Sequence, residues 1–200
     1  YGASNFIWVG THGIFDWTDA AFTIRGPSFT VTSPNGGETF DVGQSISVTW
    51  TSLNTSSSAN VDLWLSSSGV WTKLATTQND GAENVVLPAG FSGTNNFIYV
   101  YMGSVNDGSN AAFTIRPPGL TVTSQSTAQT YDVGQNIAVT WSTVSIPAGA
   151  SMDVWLWNNG TWIKLGTTPN DGSETFALPS GVYGSSNWVW VGAGGFSDWC

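Results

Sequence analysis

The aromatic residues of this sequence have the type and spacing of a binding surface. Their side chains could bind a partner by ring stacking and apolar contact. Side chains alternate between the two faces of a β-strand. In 61–65, 70–74 and 97–101, one alternating set is mostly aliphatic: Val61, Leu63, Leu65, Val70, Thr72, Leu74, Ile98 and Val100. If that set faces the core, the outer face carries Trp64, Trp71, Phe97, Tyr99 and Tyr101, with Asp62 near Lys73.

A second aromatic set follows the same alternation later in the chain. It consists of Trp155, Trp157, Trp162, Trp188 and Trp190, with Asp153 near Lys164. Trp50 and Trp141 instead alternate in phase with aliphatic neighbours, which places them in the core. Five exposed aromatic residues would exceed the apolar patch that a soluble monomer usually exposes. The outer face is therefore either a self-association surface or a platform for stacking carbohydrate, unless the faces are inverted or the rings are covered.

Polar residues give weaker signals. His12 is the single histidine, and no serine or cysteine nucleophile stands at a recognisable spacing from it, so the sequence predicts no catalytic residue and a non-enzymatic protein. Asp16, Asp107 and Asp198 recur in one loop of the repeat described below. They are candidates for calcium ligands, or else turn residues that bond their own backbone.

Two asparagines begin formal N-glycosylation sequons in predicted loops, Asn54 and Asn159. The only cysteine is Cys200, so the sequence contains no disulfide framework and no thiolate metal cluster. It predicts no bound metal and no cofactor.

The low charge excludes two classes of partner. Only 8 % of residues are charged, and four basic residues against thirteen acidic ones give a net charge of −9. Binding of nucleic acid or of an anionic membrane requires clustered Lys and Arg. No apolar run approaches the roughly 20 residues of a membrane-spanning helix. A neutral surface rich in Ser, Thr and Asn suits packing against copies of itself or against carbohydrate.

An internal repeat organises the chain. Ala-Ala-Phe-Thr-Ile-Arg occurs at 20–25 and at 111–116, and Asp-Val-Gly-Gln at 41–44 and 132–135, each pair offset by 91 residues. Residues 1–25 are therefore expected to be the tail, or last two strands, of a preceding domain. Residues 26–116 are expected to form a complete domain, and residues 117–200 a domain lacking its last strand.

Within one repeat, short runs of β-branched and aromatic residues alternate with Gly, Asn, Asp and Pro clusters. These runs predict seven strands, near 28–32, 45–50, 60–65, 70–75, 84–87, 96–102 and 111–116. Seven short strands in about 90 residues are typical of an immunoglobulin-like sandwich. The predicted fold is all-β, with tandem immunoglobulin-like β-sandwich domains.

The middle repeat also resembles a known family. The motif Ser33-Pro34-Asn35-Gly36-Gly37-Glu38 is followed by Phe40 to Gln44, by Ser47 to Thr51, by Asn79-Asp80-Gly81 and by Asn110 to Ile115. Together they resemble the Kre/Knh-like immunoglobulin-like domain of fungal glucan-assembly and Ser/Thr-rich GPI-anchored proteins, similar modules of which occur in tandem in prokaryotic surface proteins. The resemblance is weaker in the last repeat, where Gln125-Ser126-Thr127-Ala128-Gln129 replaces the Pro-Asn-Gly-Gly-Glu element. It implies a cell-surface module and no reaction.

These observations favour a structural component of an extracellular filament, stalk or surface layer, with other copies of the chain as partners. The alternative is an adhesive module that stacks cell-wall polysaccharide on its rings. The segment Ala21, Phe22, Thr23, Ile24 and Arg25 has the pattern of a half-buried strand. It is expected either to complete the last domain of another copy by strand addition or to be one part of a continuous tandem array.

Overall fold

The computed structural model describes residues 2–200, which fold entirely as β-strands, turns and loops. No helix in this range is long and apolar enough to cross a membrane. The described residues form two compact units. One comprises residues 2–39, 45–87 and 93–114, and the other comprises residues 40–44, 88–92 and 115–200. The all-β class expected from the sequence is confirmed.

Residues 2–116 supply the first strands of the chain. They are β1 (Gly2–Asn5), β2 (Trp8–Thr11), β3 (Ile14–Trp17), β4 (Phe22–Ile24), β5 (Ser28–Ser33), β6 (Thr39–Asp41), β7 (Ser45–Leu53), β8 (Asn60–Ser67), β9 (Val70–Gln78), β10 (Ala82–Val86), β11 (Gly93–Met102), β12 (Val105–Gly108) and β13 (Phe113–Arg116). β1 pairs with β4, and β2 pairs with β3. A three-stranded sheet has the order β10-β7-β5, and a larger sheet has the order β6-β13-β11-β8-β9, with β12 also paired to β11.

Residues 117–200 repeat much of this pattern. Their strands are β14 (Gly119–Val122), β15 (Asn136–Val144), β16 (Ser151–Asn158), β17 (Thr161–Pro169), β18 (Ser173–Ala177), β19 (Asn187–Ala193) and β20 (Phe196–Trp199). One sheet has the order β14-β15-β18 and the other the order β17-β16-β19-β20. Strands β15 to β18 begin and end 91 residues after β7 to β10.

Three strand predictions need correction. The short strands β6 and β12 were not predicted, because β6 contains only two β-branched or aromatic residues, Thr39 and Phe40, and β12 contains only Val105. Residues 2–25 form four short strands rather than two. β1 and β2 together correspond to the single strand β11, which the Phe6-Ile7 segment interrupts in the earlier copy.

The alternation predicted for the core is confirmed in β8 and β11. Val61, Leu63, Leu65, Ile98 and Val100 are all at most 1 % exposed. The prediction was wrong for Val70, which is 59 % exposed because it lies at the β8–β9 hairpin end, opposite Ser67 and beyond the core.

Trp50 and Trp141 lie in the cores, as expected, at 3 % and 4 % exposed. A buried indole N–H needs an acceptor, and Trp50 Nε1 donates to Asn79 Oδ1 at 2.8 Å. The Asn79 amide nitrogen in turn donates to Ser52 Oγ, Thr55 Oγ1 and the Ser56 carbonyl. Each core tryptophan is thus joined to its turn by a buried asparagine, since Trp141 Nε1 donates to Asn170 Oδ1 at 3.0 Å.

Candidate aromatic interface

Strands β9, β8 and β11 present the aromatic face expected in residues 61–101. Trp64 is the cross-strand neighbour of Tyr99 and of Lys73. The Trp71 ring lies 4.6 Å from the Tyr99 ring and 6.5 Å from the Tyr101 ring, centroid to centroid. Trp71 is 46 % exposed, while Trp64, Phe97, Tyr99 and Tyr101 are half-buried. The structure therefore brings Trp71, Tyr99 and Tyr101 into one cluster and places Phe97 opposite Ser66.

The sheet β17-β16-β19-β20 carries a denser aromatic face. Trp162, Trp157 and Trp188 are cross-strand neighbours in one row, and Trp155, Trp190 and Trp199 form a second row that begins at Lys164. Neighbouring strands are about 4.8 Å apart. Trp157 and Trp162 have ring centroids 5.1 Å apart, and those of Trp188 and Trp199 are 6.4 Å apart.

Four of these tryptophans line an open cleft of about 560 Å³, namely Trp157, Trp162, Trp188 and Trp199. Trp162, Trp188 and Trp199 are 41 %, 51 % and 64 % exposed. Trp199 was not among the predicted site residues. The strand register identifies Trp199 as a member of this face, because Trp199 of β20 pairs directly with the predicted residue Trp190 of β19.

Aromatic rings on these faces lie over glycines. A Cβ on Gly192 would lie 2.2 Å from the Trp190 ring, and a Cβ on Gly108 would lie 2.5 Å from the Tyr99 ring. The Trp8 ring covers Gly10 in the same way, at 2.4 Å from the Cβ position. A ring that packs on a glycine lies close against the backbone, which compensates for the missing side chain. Tyr99 lies across the strands from Gly108, so a larger residue there would displace the ring.

One ion pair on each face confirms the charge placement expected from the sequence. Lys73 Nζ lies 2.7 Å from Asp62 Oδ1, and Lys164 Nζ lies 2.8 Å from Asp153 Oδ1. The hydrogen bond from Lys73, followed by that from Thr76, lowers the pKa of Asp62. Lys164 Nζ also lies 5.7 Å from the centre of the Trp155 ring, within cation–π distance. The aromatic faces are therefore close to neutral.

His12 occupies a turn. It has φ +46 between β2 and β3, where its repeat counterparts are Gly103 and Gly194, and its Nδ1 lies 2.8 Å from Thr11 Oγ1. Two-residue hairpins of this kind require positive φ, which explains why glycine stands at the two counterpart positions.

The recurring aspartates accept backbone hydrogen bonds. Asp16, Asp107 and Asp198 lie in the short strands β3, β12 and β20, and not in the loop expected from the sequence. The Val31 N–H donates to Asp107 at 2.7 Å, and the Val122 N–H donates to Asp198 at 2.8 Å, so each of these two carboxylates joins its short strand to the first strand of its repeat. Asp16 accepts from the Trp17 N–H. Within residues 2–200, no group of three or more His, Cys, Asp or Glu side chains lies close enough to hold a metal ion.

Both sequon asparagines stand in turns with positive φ. Asn54 donates its amide to the Arg25 carbonyl at 2.8 Å, and Asn159 donates to the Tyr183 carbonyl at 2.9 Å. Their side-chain nitrogens are engaged in local hydrogen bonds, and glycosylation of either residue stays a prediction.

The predicted donor segment contains β4. Ile24 and Phe22 pair with Gly2 and Asn5 of β1, and the Asn5 amide donates to the Phe22 carbonyl. Phe22 is 37 % exposed and Ile24 is 47 % exposed. The half-buried strand expected at 21–25 is thus present as a strand, with much of its apolar surface accessible.

Comparisons with solved structures give only loose likenesses. The fibronectin(III)-like modules of CbhA from Clostridium thermocellum match at 12 % identity over 86 % of this chain and 90 % of theirs, with a TM-score of 0.28. The BSP domain of a biofilm-associated protein matches at 16 % identity over 86 % of this chain and 28 % of its own, with a TM-score of 0.30. A marsupial T cell receptor matches at 14 % identity over 83 % of this chain and 94 % of its own, with a TM-score of 0.29. Superpositions this loose establish no shared function.

No protein-family model matches the chain, and no curated protein matches it. The resemblance to Kre/Knh-like domains therefore stays a prediction.

Proposed function

We propose that this chain is a structural module of an extracellular filament, stalk or surface layer, built from immunoglobulin-like sandwich repeats that pack through their aromatic sheet faces. The observation that carries this proposal is the two rows of tryptophans on β17, β16, β19 and β20, whose exposed members are Trp162, Trp188 and Trp199 and beside which lies one ion pair, Asp153–Lys164. The repeat of 91 residues, the Ser/Thr/Asn-rich surface and the Kre/Knh-like motifs support the extracellular, tandem-domain part. The proposed role is non-enzymatic.

The energy available from one face suits weak, repeated association. Given their exposures and the size of an indole, Trp162, Trp188 and Trp199 together offer on the order of 400 Å² of accessible surface. Two such faces that pack together remove about 800 Å² from water, which at about 25 cal/mol/Å² is roughly 20 kcal/mol before costs. Loss of rotational and translational freedom costs about 4–15 kcal/mol, and ordering of the side chains costs more. An interface of about 800 Å² in total is the size of a weak contact, so stable assembly needs several faces that act together in one array.

The test is sedimentation velocity over a concentration series. We expect the wild-type chain to form concentration-dependent oligomers and the Trp162→Ser/Trp199→Ser variant to remain monomeric at the same concentrations. Val86→Ser is the matched control, because Val86 is 60 % exposed on β10, outside the aromatic face. A wild-type chain that is monomeric at millimolar concentration, or a control that dissociates equally, would contradict the proposal.

A second candidate function is favoured by the shape of the tryptophan cleft. Sugar rings stack on aromatic faces, and a cleft of about 560 Å³ lies within the range of ligand pockets. In this case the chain would bind cell-wall polysaccharide. A monomeric protein whose tryptophan fluorescence shifts on titration with a soluble β-glucan, and loses that shift in the Trp162→Ser/Trp199→Ser variant, would favour this alternative over self-assembly.

A further inference from the structure

The cleft on the sheet β17-β16-β19-β20 is lined by two pairs of tryptophan rings. One pair is Trp157 and Trp162, with ring centroids 5.1 Å apart and ring planes inclined at 58°. The other pair is Trp188 and Trp199, at 6.4 Å and 40°. Because the rings of each pair are far from parallel, they do not form one flat platform. A rounded group can contact several inclined rings at once, whereas a flat sugar ring stacks on one of them.

A glycine keeps this cleft open. Trp190 is two residues from Trp188 on β19 and pairs with Trp199 on β20, yet it does not line the cleft. Its ring lies over Gly192, where a Cβ would be 2.2 Å from the ring. Gly192 is the next residue on the same face of β19, on the side away from Trp188. The Trp190 ring therefore leans away from the cleft and leaves it accessible.

The middle repeat lacks three of the four lining tryptophans. At the offset of 91 residues, Trp162 corresponds to Trp71, but Trp157, Trp188 and Trp199 correspond to Ser66, Phe97 and Gly108. The Tyr99 ring covers Gly108, the position equivalent to Trp199. Strands β8, β9, β11 and β12 nevertheless pair as β16, β17, β19 and β20 do. The sheet itself does not require the three additional rings, which favours a binding role for them.

The lining of the cleft determines which chemical class of ligand suits it. Apart from indole N–H groups, no hydrogen-bonding side chain lines it in the part of the chain that the structure describes. An ammonium or guanidinium group would lose hydrogen bonds to water on entry without replacement. A quaternary ammonium group carries no N–H and loses none. Its charge is attracted by the faces of aromatic rings, most strongly by those of tryptophan.

The charge of the protein also favours a cation. The chain has a net charge of −9, which attracts cations at long range. The lysine of this face, Lys164, does not oppose a bound cation, because its Nζ lies 2.8 Å from Asp153 Oδ1 and the pair is neutral. The same Nζ lies 5.7 Å from the centre of the Trp155 ring, so one ring of this face already contacts a cation.

We propose that the cleft binds a quaternary ammonium group, such as the trimethylammonium group of choline, through cation–π and apolar contacts with its four tryptophans. The cleft has a volume of about 560 Å³ and is open, so the remainder of a ligand can extend into solvent. This binding does not require self-assembly, and it assigns to the cleft a ligand group other than a sugar ring.

The first experiment compares choline with 3,3-dimethyl-1-butanol, which has the same shape but a neutral carbon in place of the nitrogen. Both are titrated into the wild-type chain and followed by tryptophan fluorescence, at a protein concentration where sedimentation velocity shows monomers. We expect choline to bind about five- to thirtyfold more tightly, which corresponds to about 1–2 kcal/mol of cation–π attraction. Equal affinities, or no saturable binding of choline, overturn the proposal.

The second experiment changes the cleft to the residues of the middle repeat. Trp157→Ser/Trp199→Gly is expected to weaken choline binding at least about fivefold. Trp71→Ser is the control, because Trp71 is 46 % exposed on the aromatic face of the middle repeat, and it should leave the affinity unchanged. Urea unfolding of both variants verifies that they are folded. Equal loss of binding in both variants, or in neither, overturns the assignment to this cleft.

The third experiment separates the possible ligands of the cleft. Binding of a soluble β-glucan without binding of choline assigns the cleft to sugar and overturns the proposal. Choline binding to a chain that remains monomeric at every concentration supports the proposal even though aromatic packing between copies has failed.

A final comparison distinguishes a soluble ligand from a lipid head group. The chain is sedimented with phosphatidylcholine vesicles, with and without free choline. Co-sedimentation that choline abolishes assigns the trimethylammonium group to a lipid, and choline binding without co-sedimentation assigns it to a soluble ligand. Co-sedimentation that choline does not reduce would mean that the rings contact lipid only as an apolar surface, and it would overturn the proposal.

Discussion

Asn79 is the buried polar residue whose loss should destabilise the middle repeat most directly. It is 3 % exposed, accepts from Trp50 Nε1 at 2.8 Å and donates to three oxygens of the segment 52–56. Asn79→Ala removes the acceptor of an indole N–H that is itself 3 % exposed. It also disconnects the β9–β10 turn from the chain after β7.

The magnitude follows from those bonds. A buried donor left without a partner costs about 1–3 kcal/mol, and each lost hydrogen bond contributes about 0.5–1.5 kcal/mol net. Ser52 and Thr55 reach solvent more easily than Trp50 does, since their residues are exposed or half-buried. We therefore expect Asn79→Ala to lower the free energy of unfolding by about 2–4 kcal/mol.

Urea unfolding followed by tryptophan fluorescence measures this change, and Asn84→Ala is the control. Asn84 is exposed on the neighbouring strand β10, so its replacement should alter stability by less than about 0.5 kcal/mol. A double-mutant cycle with Trp50→Phe should show a coupling of about 1 kcal/mol between the two side chains. A cost for Asn79→Ala below about 0.5 kcal/mol, or zero coupling, would refute the account of this turn.

Three further outcomes are expected. Trp50→Ala should cost about 3–5 kcal/mol through transfer and cavity terms, and Trp64→Ala much less in a monomeric protein; equal losses in denaturant would show that Trp64 is also a core residue. Burial opposes ionisation of Glu38, but hydrogen bonds from the backbone N–H groups of Asn35, Glu38 and Gly36 outweigh it and lower the pKa of that carboxyl below its ordinary 4.5. The ionised carboxylate therefore stabilises the folded state above pH 4.5, and this contribution is lost as the pH falls through the lowered pKa. Glu38→Gln should therefore flatten the acid limb of the stability–pH curve, and an unchanged limb would contradict this. Gly192→Ala should displace the Trp190 ring and shift its fluorescence, whereas an unaltered spectrum would mean that the ring does not lie on the glycine.

Much of the fold follows from local pattern. In residues 61–65 of β8 the aliphatic side chains alternate with Asp62 and Trp64, so periodicity alone separates Leu63 from Trp64. Val70 obeys the same alternation, yet it lies beyond the core, because distance along the hairpin matters as well as the face. Periodicity predicts which face of a strand a residue lies on, but it does not predict at which residue the strand extends beyond the core.

One feature of the core and one of the candidate site could not be predicted from local sequence pattern. The hydrogen bond between Trp50 and Asn79 joins residues that are 29 positions apart. The Asn-Asp-Gly sequence that contains Asn79 predicts a turn, but it does not predict that the asparagine side chain bonds to Trp50. Trp199 joins the aromatic face through its pairing with Trp190 across a hairpin, which follows only once the register is known. The Trp50–Asn79 bond and the position of Trp199 depend on contacts between distant parts of the chain. The repeat offset could be predicted because it is a property of the sequence itself.

The rings that lie over Gly192, Gly108 and Gly10 have a mechanical consequence. A ring held close against the backbone makes the sheet face smooth around that glycine, away from the cleft that Trp157, Trp162, Trp188 and Trp199 line. Contacts between smooth apolar faces are non-directional, so two such faces can slide along each other with little change in buried area. Alignment of neighbouring copies must then be set by directional groups, such as the Asp62–Lys73 and Asp153–Lys164 pairs at the margins of the rings. A fibre built in this way would yield under shear before its domains unfold.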